Sequence, residues 1–281
     1  MRFALLGLFL LGITNVALCD QQARPVLEKS GSLGGVPEII NGIIEKLIST
    51  VVGHVPDPLS IPELNISLPA DSVIAAGNAS ITDFIETGLK GLQIVDVKTS
   101  VTHSKLNVVL NLPSININTN YYLDLLFGTI VPLYGSGPAN IRIKDVGFNL
   151  TSKYTLNVLK LLLQLKNTSF VTTVGDATFD IHGIINNEAF SIMVCQIFDD
   201  TFSVFIDTHT ELISKVASPI VQTVANKILA GKKGATEVFD EIDYEKLIDR
   251  EGIMKLGLSF TETLMRHPKL AELKSMKHLL K

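Results

Sequence analysis

Residues 202–228, FSVFIDTHTELISKVASPIVQTVANKI, form the clearest structural element in the chain. Their apolar side chains recur every three or four residues, the spacing that places them on one face of an α-helix. Asp199 and Asp200 suit the positive N-terminal end of a helix that begins near them, and Gly231 suits its end. The pattern predicts one helix of about 30 residues, or about 45 Å. Pro219 lies inside it and predicts a bend.

A sheet is predicted upstream, from about residue 91 to residue 182, where the hydrophobic period becomes two. Residues 106–112 carry apolar side chains at every second position, and residues 115–125 do the same after Pro113. These patterns indicate long antiparallel strands with one apolar face, and residues 134–138, YGSGP, indicate a turn between strands. A flat sheet of this length would expose its apolar face, so a helix must cover it or it must wrap upon itself.

A shorter helix is predicted before the strands, over about residues 36–53, with Pro37 in its first turn. A proline-rich connector follows at residues 55–62, because each proline disfavours helix in the residue before it. Residues 20–35 are polar and glycine-rich, and they are predicted to be a flexible leader.

The first 19 residues predict export from the cell. Arg2 gives a positive start, residues 3–13 are an unbroken apolar run, and Ala17-Leu18-Cys19 supplies small residues before a cut after Cys19. This run is too short to cross a bilayer, and no later segment reaches the roughly 18 uncharged apolar residues that a spanning helix needs. The sequence therefore predicts a signal peptide over residues 1–19 and a secreted, extracellular protein.

Four N-glycosylation sequons support the same compartment. Their asparagines are Asn65, Asn78, Asn149 and Asn167. Because Cys19 leaves with the signal peptide, Cys195 remains as an isolated cysteine and no disulfide framework is predicted. Cys195 is interpreted as a small buried hydrophobic residue. A nucleophile or an intermolecular disulfide would need an activating neighbour, which its sequence context lacks.

Composition and motifs exclude several function classes. The 281 residues are 46% hydrophobic and 19% charged, which excludes disorder, and the net charge of −4 argues against binding to nucleic acid. The chain has no Gly-x-Ser-x-Gly elbow, phosphate-binding glycine loop, His-Glu-x-x-His pair or Cys-x-x-Cys pair, and its six histidines are scattered. The sequence therefore predicts no catalytic residue, no metal site and no cofactor, and the protein is not expected to be an enzyme.

The order of these elements resembles the takeout and juvenile hormone-binding protein group of insects, within the tubular lipid-binding (TULIP) superfamily. Local matches lie at residues 60–64, 91–97, 112–113, 121–122 with 133–138, 141–148 and 179–188. The long helix is similar to that of the group 7 mite allergens. The resemblance covers about residues 36–230. One departure is that the takeout group typically has an N-terminal disulfide, for which the mature chain has no second cysteine.

The resemblance implies an α+β fold in which a strongly curved antiparallel sheet wraps around one long C-terminal helix, as in half of a TULIP protein. It also implies a single lipid-binding domain over residues 36–234 and an apolar tunnel for a lipid, terpenoid or juvenoid-like ligand. Each lining residue proposed for this tunnel has an alternative role in ordinary core packing. The proposed lining is Phe198, Phe202, Phe205, Ile206, Ile213, Leu110, Ile117 and Tyr121.

Residues 235–281 form an amphipathic helical extension beyond the resemblance. From Arg266 onward it carries five Lys or Arg residues against one acidic residue. A basic amphipathic helix can lie on an anionic membrane surface or cap a ligand opening, and it can also dock on the protein body. The alternative function is therefore a membrane-surface lipid-binding or lipid-sensing protein. The pattern leaves peripheral membrane contact open, and it does not identify a protein partner.

Overall fold

The computed structural model describes residues 35–68, 75–127, 131–157, 162–230, 247 and 249–269. The predicted signal peptide, nearly all of the predicted leader and much of the C-terminal extension lie outside these residues. The elements in chain order are α1 (Val36–His54), β1 (Leu59–Leu68), β2 (Ala75–Thr87), a 3₁₀ turn (Leu89–Gly91), β3 (Gln93–Ser100), β4 (Lys105–Phe127), β5 (Val131–Asn157), β6 (Leu162–Ile181), α2 (Glu188–Thr208), α3 (Thr210–Leu229) and α4 (Arg250–Arg266).

The six strands form one antiparallel sheet in the order β1-β2-β4-β5-β6, and β3 also pairs with β4. β2 pairs with residues 116–127 of β4, whereas β3 pairs with residues 105–111. β5 has 27 residues, about 90 Å if it were straight, which is far longer than a flat strand in a small domain. Register shifts in three strand pairs add twist and curvature. The α+β fold with a curved antiparallel sheet is as predicted.

The sheet and the helices enclose two groups of buried side chains. The first, here called the main cluster, lies between the sheet and the α2–α3 region. Its buried members are Val55, Leu59, Phe84, Leu89, Leu112, Ile117, Val146, Val174, Phe205, Ile206, Ile213, Ile220 and Val224. The second, here called the α1 cluster, lies where α1 packs on the sheet. Its buried members are Ile40, Ile44, Leu106, Val108, Tyr154, Leu163 and Leu165.

The expected turn at residues 134–138 is wrong, because β5 runs through this segment without a break. Gly135 has a φ of 143° and forms an isolated bridge with Ile184. A Cβ at Gly135 would overlap the carbonyl oxygen of Gly183. The glycines therefore serve the close approach of a second backbone segment, which gives the same sequence pattern as a turn.

The long helix differs from its prediction at its start and at its break. α2 begins at Glu188, well before Asp199, because the side chain of Asn187 caps it by accepting the N–H of Phe190 at 3.0 Å. The helix is broken at His209, where one continuous helix was predicted; Pro219 lies within α3, and the bend predicted there stays a prediction. Hydroxyl groups on both sides of the break donate to carbonyl oxygens one turn earlier, which bends helices. Together α2 and α3, with 21 and 20 residues, extend for about 60 Å.

Polar side chains of α2 and α3 bind the backbone at the open edge of the sheet. They recur four residues apart, which places them on one face of each helix. These bonds are here called the polar ladder, and in each of them a backbone N–H donates to a helix side chain. The donor and acceptor residues are Ile184 and Ser191 (2.9 Å), Ile181 and Cys195 (3.2 Å), Phe179 and Asp199 (2.7 Å), Phe170 and Ser218 (2.9 Å), Thr168 and Gln222 (3.0 Å), and Leu165 and Asn226 (2.6 Å). The ladder satisfies donors that an edge strand would otherwise leave unpaired.

Cys195 is buried with a free thiol, as the sequence predicted, and it also accepts a ladder bond. Burial raises the pKa of this thiol, so it is poorly suited to act as a nucleophile. By length and composition alone, α2 would be able to cross a membrane, which the sequence reading did not anticipate. In this fold α2 lies along β6, where Ser191, Cys195 and Asp199 bind the sheet edge.

Candidate ligand-binding site

A group of phenylalanine rings connects the sheet, the long helix and α4. Phe179 of β6 contacts Phe198 and Phe202 of α2 at ring-centroid distances of 5.3 and 5.4 Å. Phe260 of α4 contacts Phe198 at 6.0 Å and Phe205 at 4.9 Å. These five residues are here called the aromatic group. Its three α2 members share one helix face because they are spaced by four and then three residues.

The structure brings together six of the eight side chains predicted to line a tunnel. They belong to the main cluster, pack against it or join it through the aromatic group: Phe198, Phe202, Phe205, Ile206, Ile213 and Ile117. The half-buried Tyr121 lies four residues beyond Ile117 on β4, and its hydroxyl donates to the carbonyl oxygen of His182 at 2.6 Å. Burial raises the pKa of this phenol. Leu110 is separate, because it packs against the α1 cluster.

Glu86 of β2 is a buried acidic residue that the sequence analysis did not single out. Its exposed fraction is 3%, and its Oε2 is sealed from solvent without a hydrogen-bond partner. In the register of the sheet it lies opposite Leu59 on one side and Ile117 on the other, both buried members of the main cluster. Burial, and secondarily the charge of Asp57, raises the pKa of the Glu86 carboxyl from 4.5 to about 7. The sequence held one signal for this burial. Glu86 lies two residues after Phe84 on the same strand, so both side chains lie on the inward face of the sheet.

Asp57 itself is held by the backbone. Its carboxylate accepts the N–H groups of Gly88, at 3.1 Å to each oxygen, and of Lys90, at 2.9 Å. These bonds fix a negative charge near Glu86, and they use donors at the start of the 3₁₀ turn. The Glu86 carboxyl therefore has an apolar environment on the sheet face and an anionic neighbour beside it.

α4, the described helix of the C-terminal extension, docks on α2 and α3. Phe260 enters the aromatic group, and a Cβ at Gly252 would lie 2.8 Å from the Cγ2 of Val216, so the helices approach closely. Lys269 pairs with Asp200 at 3.2 Å. This part of the extension therefore takes the docked arrangement, one of the alternatives that its sequence left open.

The asparagines of the four sequons, Asn65, Asn78, Asn149 and Asn167, are all exposed. Their glycosylation remains a prediction. Among the residues that the structure describes, no group of three or more His, Cys, Asp or Glu side chains is placed to hold a metal ion.

Two surface clefts lie outside the predicted lining. One, of about 500 Å³, lies between α3 and β6, and most of its lining residues are polar or charged, among them Ser169, Ser214 and Gln222. The other, of about 690 Å³, lies at the end of the β5–β6 hairpin beside Asn226. Neither contains any of the eight residues predicted to line the tunnel.

The family of the chain follows from comparison with known proteins. A family model described as haemolymph juvenile hormone binding protein (JHBP) matches residues 39–240, well over half of the sequence. The chain belongs to the JHBP family. The predicted relationship to the takeout and juvenile hormone-binding group is confirmed, and as a member of a family of binding proteins the chain is not an enzyme. The similarity to group 7 mite allergens stays a prediction.

A search of solved structures matched takeout 1 of Epiphyas postvittana, with 15% identity and a TM-score of 0.43, over 75% of this JHBP-family chain and 95% of that one. A lipopolysaccharide binding protein matches with 11% identity and a TM-score of 0.32, over 67% of this chain and 39% of the other. A sequence search of curated proteins gave no match.

Proposed function

We propose that the protein is a secreted carrier that binds a hydrophobic small molecule between the curved sheet and the α2–α3 region. The observation that carries this proposal is the match of residues 39–240 to a family described by its binding of juvenile hormone. The ligand class that we propose is a lipid, a terpenoid or a juvenoid-like compound. The binding region is the main cluster together with the aromatic group, where six of the eight predicted lining residues meet.

Burial of the apolar part of such a ligand supplies most of the binding free energy. Transfer of each CH₂ group from water contributes about 0.8 kcal/mol, so a chain of about twelve carbons gains roughly 10 kcal/mol before the entropic cost of association. A site of this kind needs few polar contacts for affinity, and those few determine which ligand is preferred.

Three observations support an extracellular location. Residues 1–19 have the pattern of a signal peptide, and the four sequon asparagines are exposed. The matching family is described as a haemolymph protein family. Glycans on the outer surface would keep so apolar a chain in solution.

The membrane-surface alternative depends on the C-terminal extension being free to meet a lipid bilayer. The contacts of Phe260 and Lys269 with α2 support a docked helix instead. Binding to anionic vesicles that requires residues 252–281 and weakens with salt would favour the alternative.

The test is to secrete the full chain from a eukaryotic host, purify it without detergent, denature it in organic solvent and identify the released compounds by mass spectrometry. We expect one apolar compound in stoichiometric amount, and displacement of the fluorescent apolar reporter N-phenyl-1-naphthylamine by that compound. A protein that is released empty and takes up no reporter would contradict the carrier function.

Matched variants on one strand locate the site. Ile117→Ala changes the main cluster and Leu110→Ala changes the edge of the α1 cluster, although both residues lie on β4. We expect Ile117→Ala to weaken reporter binding at least threefold and Leu110→Ala to leave it unchanged. Equal effects of the two substitutions would contradict a site in the main cluster.

A further inference from the structure

Glu86 differs from four other buried polar residues that the structure describes. The hydroxyls of Ser152, Ser191, Thr201 and Ser218 all make hydrogen bonds, mainly to backbone groups. Glu86 is as buried as these residues, yet its Oε2 has no partner. A buried acceptor without a partner costs free energy comparable to a lost hydrogen bond. This oxygen is therefore available to a bound molecule.

The position of Glu86 places this oxygen inside the proposed binding region. Directly opposite residues on antiparallel strands share a face and have Cβ atoms about 5 Å apart. Glu86 is directly opposite Ile117, which belongs to the same cluster as Phe205, Ile206 and Ile213. A ligand that contacts Ile117 from the interior therefore also meets the Glu86 carboxyl.

We propose that Glu86 is a ligand-binding residue whose Oε2 accepts a hydrogen bond from the hydroxyl group of an otherwise apolar alcohol. The proposal rests on the carrier function and specifies the ligand class, a long-chain or terpenoid alcohol.

The charge beside Glu86 decides which head group fits. A hydroxyl group can donate to a carboxyl oxygen, and it brings no charge into the apolar interior. A carboxylate head group would add a negative charge close to Glu86 and Asp57, and it would be disfavoured. A methyl ether of the same chain length has no donor, so it would leave an ionised Glu86 unpaired.

The test compares dodecanol, 1-methoxydodecane and dodecanoic acid by displacement of N-phenyl-1-naphthylamine from the full chain at pH 8, where Glu86 is mainly ionised. For the wild type we expect the alcohol to bind about tenfold more tightly than the ether, as one buried hydrogen bond provides, and the acid to bind more weakly still. In Glu86→Leu the alcohol-to-ether affinity ratio should fall by about tenfold. Glu86→Gln keeps the shape of the side chain and adds an amide donor for the ether oxygen, so it should lower the ratio as well.

The matched control is Glu63→Leu, because Glu63 is exposed on the neighbouring strand β1. It should leave the alcohol-to-ether ratio unchanged. As a direct readout, the infrared carbonyl band of protonated Glu86 at pH 5 should shift on addition of dodecanol and be absent from Glu86→Gln.

The outcomes separate this inference from the carrier function. If dodecanol binds but the ratio is the same in wild type and Glu86→Leu, the role of Glu86 is wrong and the carrier function stands. If the wild type binds neither the reporter nor any of the three ligands, the carrier function fails, and the role of Glu86 fails with it.

Discussion

The main cluster and the α1 cluster both lie between a helix and the same sheet, but they treat their polar groups differently. At the α1 cluster, Asn226 of α3 pairs with both the N–H and the carbonyl oxygen of Leu165, a buried member of the cluster, at 2.6 and 2.9 Å. Nearby, Thr99 donates to Asn41 at 2.6 Å. In the main cluster, Glu86 keeps an oxygen without a partner. The α1 cluster thus has the character of a closed structural core, whereas the main cluster contains an unsatisfied hydrogen-bonding group, as the proposed ligand contact requires.

The apolar side chains of the two regions also differ, and this difference again favours the main cluster as the proposed ligand site. The buried members of the α1 cluster are aliphatic apart from Tyr154, whereas the main cluster adjoins the aromatic group. Aromatic rings offer large, rigid apolar surfaces to a ligand. Three substitutions test whether the two regions have separate roles.

Leu106→Ala should have the largest effect. Leu106 is fully buried in the α1 cluster, so its truncation leaves a cavity and should lower the free energy of unfolding by about 4 kcal/mol. Urea denaturation followed by circular dichroism measures this change. Ile192→Ala, at an exposed position of α2, is the control and should have little effect. Reporter affinity should be unchanged in the folded Leu106→Ala protein, and a loss as large as that of Ile117→Ala would show that both clusters contact the ligand.

Glu86→Gln should have a smaller, pH-dependent effect: it should raise the free energy of unfolding at high pH, whereas Leu106→Ala lowers it. The folded state raises the pKa of Glu86 from 4.5 to about 7, so the folded protein binds the proton more tightly than the unfolded chain. The resulting stability is fully present below pH 4.5 and is lost as the pH rises through 7. Gln has no such titration. The free energy of unfolding of the variant minus that of the wild type should be up to about 3 kcal/mol higher at pH 8 than at pH 4. Parallel wild-type and variant curves of unfolding free energy against pH would contradict the burial of an ionisable group here.

Asn226→Leu should have the smallest of the three effects. It removes the partners of the Leu165 N–H and carbonyl groups, and it should lower the free energy of unfolding by about 2 kcal/mol. Asn118→Leu, at an exposed position of β4, is the control. Amide hydrogen exchange at Leu165 should accelerate in Asn226→Leu alone. An unchanged exchange rate would mean that this rung of the polar ladder is not needed to protect the sheet edge.

The regular parts of this fold could be predicted because their patterns are local. The stripe of α1 predicted a helix that the structure gives as Val36–His54, and the alternation through residues 106–112 and 115–125 predicted strands where the structure has the single strand β4. The switch of inward positions across Pro113, from Leu112 to Ile117, was also present in the sequence pattern. Such periodicity survives folding because it reflects which face each side chain must bury.

The remaining features depend on contacts between distant segments. Gly135 has the sequence signature of a turn, but its role is set by the backbone of Gly183. The polar residues of α2, such as Ser191 and Asp199, interrupt the apolar stripe and become meaningful only beside the edge of β6. The burial of Glu86 similarly depends on its pairing with β1 and β4. These pairings join segments that are far apart in the sequence, so the local pattern around each residue does not reveal them.

The polar ladder also bears on how a carrier would release its cargo. Its six bonds to the sheet edge recur at the pitch of the helices, so movement of α2 and α3 along β6 would break several bonds at once. In the proposed binding region these bonds fix the long helix against the sheet, so opening on this side would require several of them to break together. α4 contacts α2 through Phe260 and Lys269, and its displacement would uncover the aromatic group with the ladder intact. The rate of ligand exchange would then be governed by the docking of α4.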